Sequence, residues 1–322
     1  MLEHGGRLTR AAARYGIPRE HWLDLSTGVS PHAWPVPPIT AEAWQRLPED
    51  DDGLLDAARA YYGVTSLIAV AGSQAAIQAL PWLRWPCRVG IVAPGYAEHA
   101  HAWRAAGHEV TTLPMAALLD QVDAFDAVVL ISPNNPTGER APLALVERLA
   151  GPDRWLVVDE AFADTQERSF LRVPAREGLI VLRSVGKFFG LAGARVGFVA
   201  AWPALLTSLA ERLGPWALAG PSRAVVAQAL RDRDWQARMR PRLRAEAAAL
   251  ASLLAEAGWP PTGGTDLFQY VRHADAARLH EALARRGILV RLFDDPPALR
   301  FGLPPDRADS ARLAVALREV LA

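Results

Sequence analysis

The chain has 322 residues, 51% hydrophobic and 22% charged, with a formal net charge of +0 and a pI of about 7.1. That length and apolar content suit one large core, most economically as two closely packed domains, and the neutral balance gives no general attraction to nucleic acid or anionic membranes. No apolar run nears the roughly 18 residues of a membrane span and residues 1–10 hold no signal-peptide core, so a cytoplasmic protein with a small-molecule partner is expected.

In chain order, the first stretch reads as an arm, because a Pro-rich segment at 32–38 interrupts it. Short β-rich runs then recur at 67–71, 88–93, 108–112, 127–132, 154–159, 178–184 and 195–200. Helix-compatible stretches at 73–83, 97–106, 143–149 and 203–213 lie between or after them. This alternation predicts an α/β fold with a mostly parallel seven-stranded sheet covered on both faces, and active groups gathered at strand ends. After Pro221 a long Ala, Leu and Arg-rich helical region runs to Ala257, followed by strands near 266–272, 288–292 and 298–303 and a last helix at 307–321. The expected division is a large domain at 40–215 and a smaller α+β domain formed by 216–322 with the arm, 1–39.

The 35 Lys+Arg residues are 34 arginines and one lysine, Lys187. Arginine supplies charge but stays protonated, whereas an amine can lose its proton and attack a carbonyl. The single cysteine, Cys87, precedes a buried-strand pattern and reads as a packing residue. Four motifs follow one another: Gly72-Ser73-Gln74; Asn134-Asn135-Pro136-Thr137-Gly138; Asp159-Glu160-Ala161-Phe162; and Ser184-Val185-Gly186-Lys187 with Gly190-Leu191-Ala192-Gly193-Ala194-Arg195. Other phosphate and metal patterns fail. Val181 stands where a P-loop needs its first glycine, Gly-x-Gly-x-x-Gly is absent, and His99-x-His101 has no matching ligands, so no metal is expected.

In this order the motifs resemble the fold type I pyridoxal-phosphate (PLP) enzymes, the class I/II aminotransferases, over most of the chain. The resemblance implies that Lys187 holds the cofactor as a Schiff base and that Asp159 pairs with the pyridine nitrogen, although a strand-end aspartate alone could be a helix cap. It assigns Asn135 to the cofactor's phenolic oxygen, where a plain turn is the alternative. Backbone N–H groups of Ser73 and Gln74, the Ser184 hydroxyl and the Arg195 guanidinium are assigned to the phosphate. Tyr96 is placed against the pyridine face, with a core aromatic as the other possibility. Arg300 matches the arginine that clamps a substrate α-carboxylate.

Within that family, His4-Gly5-Gly6 and the segment from Leu23 to Pro31 resemble the threonine-phosphate decarboxylases of cobalamin biosynthesis, relatives of histidinol-phosphate aminotransferase. This implies a phosphorylated amino-acid substrate, with His4 and Ser30, and Arg140 after the Asn-Asn-Pro-Thr-Gly turn, as candidates for its phosphate, and a homodimer. On position alone His4 could equally be a loose terminus. Two residues depart from the aminotransferase pattern: Phe162 where a tyrosine hydroxyl is usual, and Leu47 where a tyrosine reaches the partner subunit's cofactor phosphate. The remaining alternatives are a histidinol-phosphate-type aminotransferase and a PLP-binding regulatory protein without turnover.

Overall fold

The computed structural model describes residues 4–321. Two compact units divide the chain: Ala33–Asn135 with Arg140–Ala237, and Met1–His32 with Pro136–Glu139 and Arg238–Ala322. The smaller unit opens with α1 (Leu8–Tyr15) and β1 (Leu23–Asp24).

The larger unit begins with α2 (Ala41–Gln45) and α3 (Leu54–Tyr62) and then builds the sheet. Its first half is β2 (Leu67–Val70), α4 (Ser73–Ala79), β3 (Arg88–Val92), α5 (Glu98–Ala105), β4 (Glu109–Leu113) and α6 (Met115–Asp120). The second half is β5 (Ala127–Ile131), α7 (Leu145–Leu149), β6 (Trp155–Asp159), β7 (Leu179–Ser184) and β8 (Gly197–Ala200), followed by α8 (Pro203–Leu213) and α9 (Gly220–Arg231). The seven strands lie in the order β2-β8-β7-β6-β5-β3-β4, and β8 runs antiparallel to both its neighbours while the other ladders are parallel. The expected α/β architecture is therefore present.

Every residue of β5 and β6 is buried, which is why these strands read as unbroken apolar runs rather than alternating ones. Burial of each Val, Leu or Ile side chain there contributes about 1.5–3 kcal/mol. One face of the core combines Val129, Val157 and Ile180 with Ile77, Trp103 and Leu209 from the covering helices. At the sheet edge β4 keeps Glu109, Thr111 and Thr112 exposed.

Two helical expectations differ from the structure in extent. The stretch at 73–83 is α-helical only to Ala79 and continues as a 3-10 turn, Leu80–Leu83, because Pro81 has no N–H for an α-helical bond. The region from Pro221 to Ala257 is two helices, α9 and α10 (Arg233–Glu256). Asp232 makes the break: its Oδ1 accepts the Trp235 N–H at 2.9 Å, and its Oδ2 accepts the Trp34 indole N–H at 3.0 Å.

The rest of the smaller unit contains β9 (Gly263–Thr265), β10 (Phe268–Arg272), α11 (Ala276–Ala284), β11 (Ile288–Leu289), β12 (Arg291–Asp294), β13 (Pro297–Gly302) and α12 (Arg307–Leu321). Four of these strands form an antiparallel sheet in the order β12-β13-β10-β9, and β1 pairs in parallel with β11. The register places Arg291, Arg300 and Tyr270 side by side across β12, β13 and β10.

Candidate active site

The parallel strands β5 and β6 end level with one another, Ile131 opposite Asp159, and β7 runs two residues further, from Leu182 opposite Asp159 to Ser184. Because β8 runs the other way, its first residue, Gly197, lies beside Ser184, and Arg195 just before it returns to the same edge of the sheet. Residues from all four motifs thus collect at the carboxyl ends of the strands without long connections. They line a cavity of about 120 Å³.

At one end of that cavity are Ser73 and Gln74, which open α4, together with Ser184 and Arg195. Gly72 and Gly197 make this arrangement possible. A Cβ on Gly72, whose φ is +72°, would stand 2.7 Å from Arg195 Nη2, and one on Gly197 would stand 2.5 Å from the Ser73 nitrogen. Arg195 itself has φ 52° and ψ 50°, a left-handed conformation uncommon for a side chain of this size. The result is a cup of helix-start N–H groups, hydroxyls and one guanidinium, the donor set that suits a phosphate.

Asp159 stands in the cavity wall at 3% exposure. Its Oδ1 accepts the Ala161 N–H at 2.9 Å and its Oδ2 accepts from His99 Nε2 at 3.0 Å. His99 is itself buried, on the first turn of α5. Asn134 turns away, donating from Nδ2 to the Pro94 carbonyl at 2.8 Å, whereas Asn135 lines the cavity.

Lys187 sits on the loop after β7, and Phe188 and Phe189 behind it pack on Trp235, with ring centroids 5.3 and 5.5 Å away. Its Nζ lies 5.4 Å from the centre of the Phe162 ring. Tyr96 supplies a second aromatic wall, and burial, with Glu98 and Asp159 adding, pushes its phenol up to about 12. All eight residues that the resemblance assigned to the cofactor, Ser73, Gln74, Tyr96, Asn135, Asp159, Ser184, Lys187 and Arg195, therefore line one cavity.

Residues 51–317 match the family described as aminotransferase class I and II. The chain is 54% identical to the threonine-phosphate decarboxylase of Pseudomonas aeruginosa, covering 98% of this chain and 97% of that one. It is 42% identical, with the same coverage of each, to the threonine-phosphate decarboxylase of a Sinorhizobium species. The chain belongs to the class I and II aminotransferase family. Among solved structures it superposes on histidinol-phosphate aminotransferase from Sinorhizobium meliloti in complex with pyridoxal-5'-phosphate, with a TM-score of 0.84 at 20% identity, covering 99% of this chain and 95% of that one.

Pyridoxal phosphate is the cofactor of this family member, and the donor set fits it. An anion cup and a carboxylate held by two donors are joined in one cavity with an amine, an amide and two aromatic faces. Those groups could hold, in turn, a phosphate, a basic ring nitrogen, an aldehyde carbon, a phenolic oxygen and a flat ring.

The four expected substrate contacts are placed differently from one another. In the smaller unit His4 lines a second cavity, of about 330 Å³, together with Arg7, Ser26 and Arg291. Arg300, on β13, is 6% exposed and donates from Nη2 to the Ser26 carbonyl at 2.9 Å. Ser30 is not at either cavity: its hydroxyl donates to the His32 carbonyl at 3.1 Å and accepts the His32 N–H, so it closes a local turn. Arg140 is exposed and lines neither cavity. Two residues went unassigned in the sequence. His99 was visible only as half of an incomplete metal pattern, and Arg291 had no mark that set it apart from the other arginines.

Proposed function

We propose that this chain is a threonine-phosphate decarboxylase, converting L-threonine O-3-phosphate into carbon dioxide and (R)-1-amino-2-propanol O-2-phosphate in cobalamin biosynthesis. The observation that carries this reading is the Arg291–Arg300 pair. The two are direct partners on antiparallel strands, so their side chains leave the same face of the sheet. Burial, with Arg291 adding, pushes the Arg300 guanidinium down to about 9, which still leaves it cationic at neutral pH. Two guanidinium groups held side by side suit a ligand that carries two anionic groups. Threonine phosphate brings two, a carboxylate for Arg300 and a phosphate for Arg291 and His4. Histidinol phosphate carries its phosphate where the carboxylate would stand and so brings one. The 54% identity to a threonine-phosphate decarboxylase across nearly the whole of both chains supports the same choice.

In this reading Ser73, Gln74, Ser184 and Arg195 hold the cofactor's phosphate, Asn135 its phenolic oxygen and Asp159 its ring nitrogen. When bound, pyridoxal phosphate supplies a carbonyl that an amine can condense with and a protonated ring that accepts an electron pair from Cα. Lys187 provides the resident amine and yields its place to the substrate amine. Arg300 orients the Cα–carboxylate bond, which selects the bond that breaks.

Loss of carbon dioxide leaves Cα in need of one proton, and the cavity narrows the choice of donor. Both oxygens of Asp159 are engaged, Tyr96 donates its hydroxyl proton to Gln74 at 3.0 Å, and Phe162 has no proton to give. Lys187 Nζ is therefore the group that returns the proton. No 2-oxo acid is consumed, because the amino group stays on the product and needs no acceptor. Threonine phosphate supplied alone should give carbon dioxide and aminopropanol phosphate, while histidinol phosphate with 2-oxoglutarate should give little glutamate. Rapid glutamate formation without carbon dioxide would overturn the proposal.

The same reading makes the protein a cytoplasmic homodimer. Trp44, Leu47 and Trp216 in the larger unit are 70%, 64% and 60% exposed. They lie on α2, in the loop after it and just before α9, and α2 packs on α9. Large exposed apolar side chains on neighbouring elements suit a subunit interface. Among the described residues no helix is long and apolar enough to cross a membrane.

A further inference from the structure

We propose that Gln74 and Glu98 are positioning residues, which hold the Tyr96 ring in one plane at the cofactor cavity and turn its hydroxyl proton away from the reacting atoms. The inference rests on the reading of that cavity as the pyridoxal-phosphate site. Gln74 Nε2 donates to Glu98 Oε2 at 3.1 Å, and Tyr96 Oη donates to Gln74 Oε1 at 3.0 Å.

The carboxylate decides the direction of the whole chain. An amide turned the other way would set its oxygen against Glu98 Oε2, two acceptors with no proton between them. Glu98 therefore fixes the Gln74 amide, and the amide oxygen then fixes Tyr96 as the donor. The phenol that burial pushes up to about 12 keeps its proton throughout the neutral range, and that proton points at Gln74.

The ring is held at a second place. His99, the residue after Glu98, meets Tyr96 edge to face, with centroids 6.3 Å apart and planes at 83°. A ring pinned at its hydroxyl and along one side keeps its tilt. Gln74 also opens α4, so its backbone belongs to the anion cup while its side chain sets the aromatic wall. The neighbouring helices α4 and α5 pack together, and Tyr96 packs on the core beneath them, so the three partners start from a rigid frame. Sequence alone hides this arrangement, because Gln74 and Glu98 meet only once those two helices are side by side.

A double-mutant cycle on the full-length holoenzyme tests the inference, using Gln74→Leu, Tyr96→Phe and the double variant, with Glu98→Ala beside them. The readouts are the pyridoxal-phosphate dissociation constant by absorbance titration and the circular dichroism of the bound cofactor, followed by kcat and KM for threonine phosphate. Each single variant should weaken cofactor binding about fivefold, the effect of one net hydrogen bond, and diminish the dichroic band. The double variant should be no worse than either single one, because all three remove the same bond. Glu98→Ala should shift the dichroic band in the same direction. Multiplied losses in the double variant, or single variants that match wild type in both readouts, overturn the inference. Should Gln74→Leu not fold, Gln74→Met takes its place in the cycle. A wild-type protein that develops no cofactor absorbance would overturn the cavity reading itself, an outcome distinct from any pattern among the variants.

Discussion

Asp159 is only 3% exposed, and each of its oxygens has its own donor, the Ala161 N–H and His99 Nε2. A hydrogen bond to a charged group contributes about 1.5–3 kcal/mol. His99→Phe keeps the ring volume and removes the donor, so the affinity for pyridoxal phosphate should fall between about tenfold and a hundredfold, with His99→Gln recovering part of it. Absorbance titration of the apoprotein measures this, and an unchanged dissociation constant for His99→Phe would contradict the role given to His99. Lys187 was legible at this scale because its chemistry is singular in a chain otherwise served by arginine. His99 was not, since 60 residues separate it from Asp159 and only the packing of α5 against the sheet joins them. Ser30 shows the opposite case: its motif drew attention, yet its hydroxyl is engaged by the backbone of His32.

The strands of the central sheet were legible because parallel strands buried on both faces leave unbroken apolar runs, and each run stops where a polar motif begins. Helix boundaries were harder to read. Between Arg231 and Trp235 the chain offers two aspartates, Asp232 and Asp234, and composition alone does not say which one caps. The structure uses Asp232, whose two oxygens take the Trp235 N–H and the Trp34 indole N–H. Asp232→Ala should therefore cost about 1–2 kcal/mol, from a lost N-cap and a lost hydrogen bond. A fall of a few degrees in the melting temperature is expected, with the cofactor absorbance of the folded protein unaltered. An unchanged melting temperature would show that another group ends α9 and starts α10.

At the scale of the whole molecule, the larger unit carries the donors proposed for the cofactor and the smaller one carries the paired guanidinium groups of Arg291 and Arg300. The order of the motifs along the chain made the first part readable. The second was not, because Arg291 is one of 34 arginines and only the register of β12 on β13 sets it opposite Arg300. The exposed Trp44, Leu47 and Trp216 predict a species of about twice 34.9 kDa by analytical ultracentrifugation, and Leu47→Glu should shift it toward the monomer. Full activity at the monomer mass would refute the dimer. Whether the cavity removes a carboxylate rather than exchanging an amine is decided with threonine phosphate labelled in its carboxyl carbon, in heavy water and without any 2-oxo acid. Labelled carbon dioxide equal in amount to aminopropanol phosphate, one deuterium on the former Cα, and neither product from Lys187→Arg are expected. Label that stays in the substrate, apart from phosphorylated 2-oxo acid formed in an amount no greater than the enzyme, or release of carbon dioxide undiminished in Lys187→Arg, would contradict the decarboxylase reading.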